Sequence, residues 1–357
     1  MNKALHLFIM AGGAGTRLWP FGRKDRPKQV LPMPDGKPLL QRAVDRARRI
    51  ADRGSLRVIA GRSLETPIRR AAPGLKAEEF LPEPEARDTG PCVVLALADL
   101  GKRAGPDDLV VFMPADHRFV PEERLAEALK TAAEAAAAGE RLWLLGIRPT
   151  RAATGFGWLA LGDDLGLGRF ACEGFVEKPG PDLARTLLEG GKHLWNAGIL
   201  VARRDLLERE LAAKAPDLGK GLREIREWKA SGRDWTARFR NLPRRSIDHA
   251  LLELGPPLGA VAVEVDWKDV GGFEALASLC REEDGGNRRW CLEGGVARIS
   301  EGGDNFVLVE GKHEVLLHGV DGLVVVHSGG RTLILPKERS EEVRNLAAES
   351  VDSEGDR

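Results

Sequence analysis

Directly after an apolar run at residues 5–10, the chain reads Met10-Ala11-Gly12-Gly13-Ala14-Gly15-Thr16-Arg17-Leu18-Trp19-Pro20. Glycines in such a turn let backbone N–H groups approach a phosphate, and an arginine within it adds a charge-assisted fork. Pro27-Lys28 brings a second cation soon afterwards, which a bare glycine-rich turn would not need. Two well-known phosphate loops are excluded. A dinucleotide fingerprint needs another glycine where Arg17-Leu18 stands and an acidic residue at a strand end, but Asp35 sits in a Pro-Asp-Gly turn. A Walker loop needs Gly-Lys followed by Ser or Thr, and no such run occurs.

Two aspartates are placed where a divalent cation would be useful. Asp116 lies just beyond the apolar run 109–113, and Asp269 lies beyond the run 260–265, before Gly271-Gly272 and a helical stretch. Ligands of open α/β sheets bind at the carboxyl ends of strands, and Mg²⁺ favours one or two carboxylates completed by phosphates and water. Taken singly, either aspartate could equally cap a helix or brace a turn. Glu177-Lys178 ends another apolar run, yet a lone Glu-Lys pair is usually a solvated face. The histidines show no metal spacing, and the four cysteines form no CxxC pair, so neither a zinc knot nor a disulfide framework is expected.

These residues need a scaffold. Strand-like apolar runs at 5–10, 56–60, 109–113 and 142–147 alternate with helical patterns at 38–53, 63–71, 90–103 and 122–138. That alternation predicts an α/β fold, a doubly wound, mostly parallel sheet covered on both faces. Shorter strands are expected over 155–176, and mostly helix with two interruptions over 182–254. The composition then shifts to glycine and charge around 285–289, and short strands separated by Gly or Asp-Gly turns follow. The expected division is a catalytic domain over 1–284, a small β domain over 285–337 and a charged tail over 338–357. A few coils of a left-handed β-helix are one form such strands could take.

The chain has 357 residues, 54 basic and 54 acidic side chains, and zero formal net charge. Charge balance argues against a general nucleic-acid binder. No apolar run approaches the roughly 20 residues that span a bilayer. The apolar start at 5–11 is too short for a signal peptide, so a cytoplasmic protein with reduced thiols is expected.

Gly-Gly-x-Gly-Thr-Arg-Leu-Trp-Pro with Pro27-Lys28-Gln29 resembles the signature of the sugar nucleotidyltransferases, and within them the mannose-1-phosphate guanylyltransferase family. Further blocks follow in order: Glu83-Pro84-Glu85-Ala86-Arg87-Asp88-Thr89-Gly90-Pro91, Pro114-Ala115-Asp116-His117, Phe175-Val176-Glu177-Lys178-Pro179, Trp195-Asn196-Ala197-Gly198, Ser246-Ile247-Asp248 and Trp267-Lys268-Asp269-Val270-Gly271. Departures are Phe21-Gly22-Arg23 for Leu-Ser-Arg, Gly90 for alanine, Phe156-Gly157-Trp158 for Tyr-Gly-Tyr, and Ala197 where serine is common.

The resemblance implies a Rossmann-like, glycosyltransferase-A-like fold and transfer of GMP from GTP to mannose 1-phosphate with Mg²⁺ as cofactor. It implies Arg17, Lys28 and Lys178 as catalytic cations, Lys178 on the sugar phosphate. It implies nucleotide contacts from Ala11, Gly12, Gly13, Gly15, Thr16, Arg87, Asp88, Thr89 and Gly90. Sugar contacts would come from Gly157, Glu177 and Asn196, and metal ligands from Asp116 and Asp269. No general base is required, because the attacking sugar phosphate is already anionic. GTP and mannose 1-phosphate are the expected partners, without nucleic acid or membrane, and a homo-oligomer such as a dimer is compatible with the sequence. Glucose 1-phosphate with UTP or dTTP is an alternative substrate pair, and a non-catalytic nucleotide-sugar-binding subunit an alternative role.

Overall fold

The computed structural model describes residues 3–13, 15–50 and 54–352. Ala14 of the glycine loop, residues 51–53 of the expected first helix and the end of the tail lie outside the described residues. The strands are β1 (Leu5–Met10), β2 (Leu56–Gly61), β3 (Phe80–Glu83), β4 (Leu109–Pro114), β5 (His117–Val120), β6 (Leu142–Ile147), β7 (Trp158–Gly166), β8 (Arg169–Val176), β9 (His193–Arg203), β10 (Leu258–Val263) and β11 (Asp266–Asp269). Those of the C-terminal part are β12 (Arg288–Leu292), β13 (Val296–Ser300), β14 (Phe306–Glu310), β15 (Glu314–His318), β16 (Leu323–Ser328) and β17 (Arg331–Pro336).

A nine-stranded sheet in the order β3-β2-β1-β4-β9-β6-β10-β8-β7 forms the centre. The pairings give one direction to most of its strands, with β9 and β8 running the opposite way. Side chains alternate across it: Leu7 and Ile9 of β1 enter one apolar layer and Phe8 the other. Helices Leu39–Ile50, Glu65–Ala71 and Glu122–Ala138 cover the first face. Helices Thr89–Leu100, Arg204–Lys214 and Pro216–Ala230 cover the second.

One expectation needs correction, and a second is met with a strand as one of its interruptions. Strands β7 and β8, at 9 and 8 residues, are long rather than short. The stretch expected to be mostly helical contains β9, whose 11 residues lie between β4 and β6. Buried on both faces, β9 lacks the alternation that marks a half-exposed strand. Its pairing with β6 also shifts register between Leu144 and Gly146, opposite Gly198, whose φ is +69°.

Beyond residue 287 the chain winds in coils. Strands β12, β14 and β16 pair in parallel, as do β13 and β15, and each partner lies 18 residues on, as Asn305 does from Asn287. Buried Asn305 donates from its backbone and its amide to Asn287 Oδ1, and its own Oδ1 accepts from Leu323 N, so one amide row satisfies the turns. β17 then reverses and pairs antiparallel with β16.

The coils share a core with the part that carries the nine-stranded sheet. Trp290, Phe306, Leu308, Val324 and Val326 form one buried cluster with Leu18 and Phe21 of the signature segment and with Val270 and Phe273 beyond Asp269. The stretch expected as a charged tail includes the helix Val343–Asp352, which buries Val343 and Ala347 and packs against the turn Thr16–Leu18.

Candidate active site

A cleft of about 230 Å³ is lined in part by Met10 of β1, Phe112 of β4, Leu144 of β6 and Leu200 of β9. At one end, Lys28 Nζ lies 2.7 Å from Asp116 Oδ2 and 3.2 Å from Asp269 Oδ1. His117 Nε2 stands 3.7 Å from Asp116 and 3.8 Å from Asp269. Burial opposes the charge on Lys28, but the two carboxylates outweigh it and raise its pKa above the ordinary lysine value. Burial likewise pushes Asp116 up, and the Lys28 ammonium more than reverses the effect.

The two aspartates converge by a route absent from the sequence pattern. The runs that precede Asp116 and Asp269 form strands that are not neighbours, because β9 and β6 separate β4 from β10. Asp116 instead sits in the bend between β4 and β5, and β5 forms a separate antiparallel ribbon with β11, where Asp269 is paired with His117. The ribbon brings both carboxylates onto one side of Lys28.

The glycine loop closes around the same lysine. Gly13 and Gly15 have φ of +99° and +62°, and a Cβ on Gly15 would stand 2.8 Å from Lys28 N. Only glycine lets those two segments approach so closely. Gln29, 1% exposed, donates to Ala11 O at 2.5 Å and so ties the loop's first residue to the Pro-Lys-Gln segment. Gly12 has open space where a side chain would be. Thr16 opens the short turn that carries Arg17. Arg17 is half-exposed beside Gly271, within 3.7 Å of Glu341 from the C-terminal part.

At the other end, Gly157, Glu177, Lys178 and Asn196 line the cleft together, with Asp248. A Cβ on Gly157 would fall 2.8 Å from Glu177 Oε2 and 2.7 Å from the Phe175 ring. Lys178 Nζ donates to Glu177 Oε1 at 2.6 Å, and its backbone holds φ +46°. Asn196 donates to Asp248 Oδ1 at 3.2 Å and accepts from Gly198 N at 3.0 Å across the β9 bulge. Such bulges re-aim side chains beside functional sites. Burial first, then the Glu177 charge, pushes the Asp248 carboxyl up to about 6.

The Arg87 to Gly90 stretch is divided. Thr89 reaches the cleft, and its hydroxyl accepts from Ile247 N at 2.9 Å. Asp88, at φ +71°, caps the helix that begins at Thr89. Arg87 turns away to donate to Leu242 O at 2.7 Å, and Gly90 packs so closely that a Cβ would meet Arg245 O at 2.6 Å. These two sit in packing positions outside the cleft lining. Sequence reasoning assigns no role to Gln29 or Asp248, although each stands in a motif block, Gln29 directly after Pro27-Lys28 and Asp248 after the helix-capping Ser246.

Among the described residues, the glycine loop, Arg17, Lys28 and Asp116 lie outside the cleft lining and meet it through Asp269, whereas Gly157, Glu177, Lys178 and Asn196 line its other end. The chain belongs to the nucleotidyl transferase family, whose model matches residues 7–284. Within it, the chain falls among the mannose-1-phosphate guanylyltransferases. It is 30% identical to the mannose-1-phosphate guanylyltransferase of Salmonella muenchen over 97% of this chain and 73% of that protein. It is 29% identical to the xanthan biosynthesis protein XanB of Xanthomonas campestris pv. campestris, over 96% and 72% of the two chains. The crystal structure of mannose-1-phosphate geranyltransferase from Thermus thermophilus superposes with a TM-score of 0.84 at 30% identity, covering 97% of this chain and 99% of that one. Among the described residues, no helix is long and apolar enough to cross a membrane.

Proposed function

We propose that the protein transfers GMP from GTP to mannose 1-phosphate, releasing pyrophosphate and forming GDP-mannose, as a cytoplasmic and Mg²⁺-dependent enzyme. The observation that carries this reading is that Asp269, beside Lys28 and Asp116, and Lys178, beside Glu177 and Asn196, line one cleft. A nucleoside triphosphate and a sugar phosphate bound at the two ends would meet between them.

The donor set fits a magnesium ion, because two hard carboxylates already reach a single cationic group, the Lys28 ammonium. Asp116 and Asp269 would hold Mg²⁺, which would supply charge neutralisation at the phosphates. Lys28, Arg17 and the N–H groups of Gly12, Gly13 and Gly15 orient the triphosphate, and Lys178 holds the sugar phosphate. Gly157 lets Phe175 and Glu177 pack against its backbone, which would contact the sugar, with Glu177 accepting from and Asn196 donating to the sugar hydroxyls. A phosphate oxygen of mannose 1-phosphate attacks the α-phosphorus in line, that P–O bond forms, and the bond to pyrophosphate breaks. No side chain has to remove a proton, so the chain acts by positioning and electrostatic complementarity. A dimer is the assembly we propose for it.

Pyrophosphate release from purified protein, across four nucleoside triphosphates and several sugar 1-phosphates, tests the reading. GTP with mannose 1-phosphate should give the highest kcat/KM. Selective use of UTP or dTTP with glucose 1-phosphate would replace this substrate pair, and no release from any combination would refute catalysis.

A further inference from the structure

Lys28 is held from two directions. Gln29 ties the segment to the glycine loop, as described above. The second tether comes from the coils. Glu310, the last residue of β14, has its side chain only 9% exposed and lies 2.7 Å from the Arg26 guanidinium. Its other oxygen accepts from Ser328 Oγ at 2.5 Å, one coil further on. Both carboxylate oxygens are therefore engaged, one by the coil and one by the signature segment.

Arg26 passes this restraint to Lys28 through a short and stiff path. Its guanidinium lies over the Phe21 ring at 5.1 Å, and that ring meets Trp290 of the coils edge-on at 5.2 Å. Its backbone N–H and C=O pair reciprocally with Arg23 at 3.0 Å each, closing a tight turn over 23–26. Pro27, whose ring fixes φ near −70°, is the single residue between Arg26 and Lys28. A charge-assisted pair with little exposure restrains more than a surface pair does, because water competes less for either partner.

We infer that Glu310 is a positioning residue for nucleotidyl transfer: through Arg26 it sets where the Arg26-Pro27-Lys28-Gln29 segment stands against Asp116 and Asp269. The C-terminal coils then form part of the nucleotide end of the site without touching substrate. The inference rests on the reading that Lys28 serves a bound triphosphate. It separates two kinetic constants, since Glu310 is connected to the nucleotide end and not to Glu177, Lys178 or Asn196.

The test uses full-length Glu310→Gln, Glu310→Ala, Arg26→Ala and the Arg26→Ala/Glu310→Ala double variant. Each is assayed for kcat and for KM of both substrates well below its own melting temperature, and for GTP affinity by calorimetry. Glu310→Gln keeps the shape and an acceptor for Ser328, so it remains informative if Glu310→Ala folds poorly. The expected result is a fall of about 10-fold or more in kcat/KM for the nucleotide, KM for mannose 1-phosphate within about twofold of wild type, and a double variant no worse than Arg26→Ala alone. Wild-type nucleotide kinetics in both Glu310 variants would overturn the inference. So would equal losses toward both substrates, or additive losses in the double variant. Should wild-type protein prefer another triphosphate, the substrate assignment fails by itself, and the same variants measured with that triphosphate still decide the role of Glu310.

Discussion

Lys28 Nζ and Asp116 Oδ2 stand 2.7 Å apart, with Lys28 only 14% exposed, so a lysine ammonium occupies the space that the two aspartates share. The same nitrogen lies 3.2 Å from Asp269. The resting site thus carries its own counter-charge. Lys28→Met should leave the two carboxylates facing each other without compensation. We expect the variant to bind Mn²⁺ in the absence of nucleotide at least about 10-fold more tightly than wild type, while turnover falls roughly 10²–10³-fold. Electron paramagnetic resonance of free Mn²⁺ measures the first effect. Unchanged Mn²⁺ affinity would mean that Lys28 does not compete for the site.

Asp116→Asn and Asp269→Asn each preserve shape while removing charge. Turnover should drop by about 10²–10³-fold, the scale of a lost electrostatic stabiliser at about 3–4 kcal/mol. Raised Mg²⁺ or added Mn²⁺ should restore part of it. Near-normal turnover in both variants would remove the two aspartates from the reaction.

Asp248 gives a pH signature. Its carboxyl is pushed up to about 6 in the folded protein, against about 3.9 in an unfolded chain. Between those values the folded state binds the extra proton, so this contribution is complete below about pH 4 and is lost as pH rises through 6. Asp248→Asn removes the loss and keeps an acceptor for Asn196. It should melt higher than wild type at pH 8, by about 3 kcal/mol of stability, and the advantage should vanish near pH 4. An identical pH profile for both proteins would contradict the assignment.

Trp290 anchors the coils to the signature segment. It is 7% exposed and shares its cluster with Leu18, Phe21 and Phe273. Trp290→Ala should cost about 3–5 kcal/mol in chemical denaturation. A cut near Glu283 removes that residue and the coil half of its cluster, so the remaining chain should aggregate with its signature segment uncovered. A soluble and fully active truncated protein would show that the two parts are energetically separate.

Local pattern makes part of the fold readable. The helix at 122–138 carries acidic residues in its first turn and an apolar stripe of leucine and alanine, and its expected limits coincide with those observed. Strand β6, buried throughout, also stands at its expected limits. β9 is hidden because the bulge that turns Asn196 into the cleft breaks its apolar rhythm in mid-strand. In the site, the motif blocks draw attention to Asp116 and Asp269. The ribbon that joins them depends on pairing Asp269 with His117, a contact between distant segments that no local spacing encodes. The Arg26–Glu310 pair is beyond reach for the same reason, with both partners reading as ordinary surface charges. Arg87 and Gly90 show the converse: they stand in a motif block, yet their contacts with Leu242 and Arg245 place them in the packing beside the cleft.

The reversal of β17 has a consequence for how this architecture can grow. A stack of parallel coils offers at its end a row of unpaired N–H and C=O groups, a template on which another coil or a neighbouring molecule could build. β17 pairs with β16 along its whole length, from Leu323 opposite Pro336 to Ser328 opposite Arg331. Running against the direction of the coils, it fills that template with the wrong polarity for another turn of the same kind. Lengthening by tandem duplication would therefore have to enter upstream of β16, and each insertion would carry the terminal strand outward as a ready-made stopper.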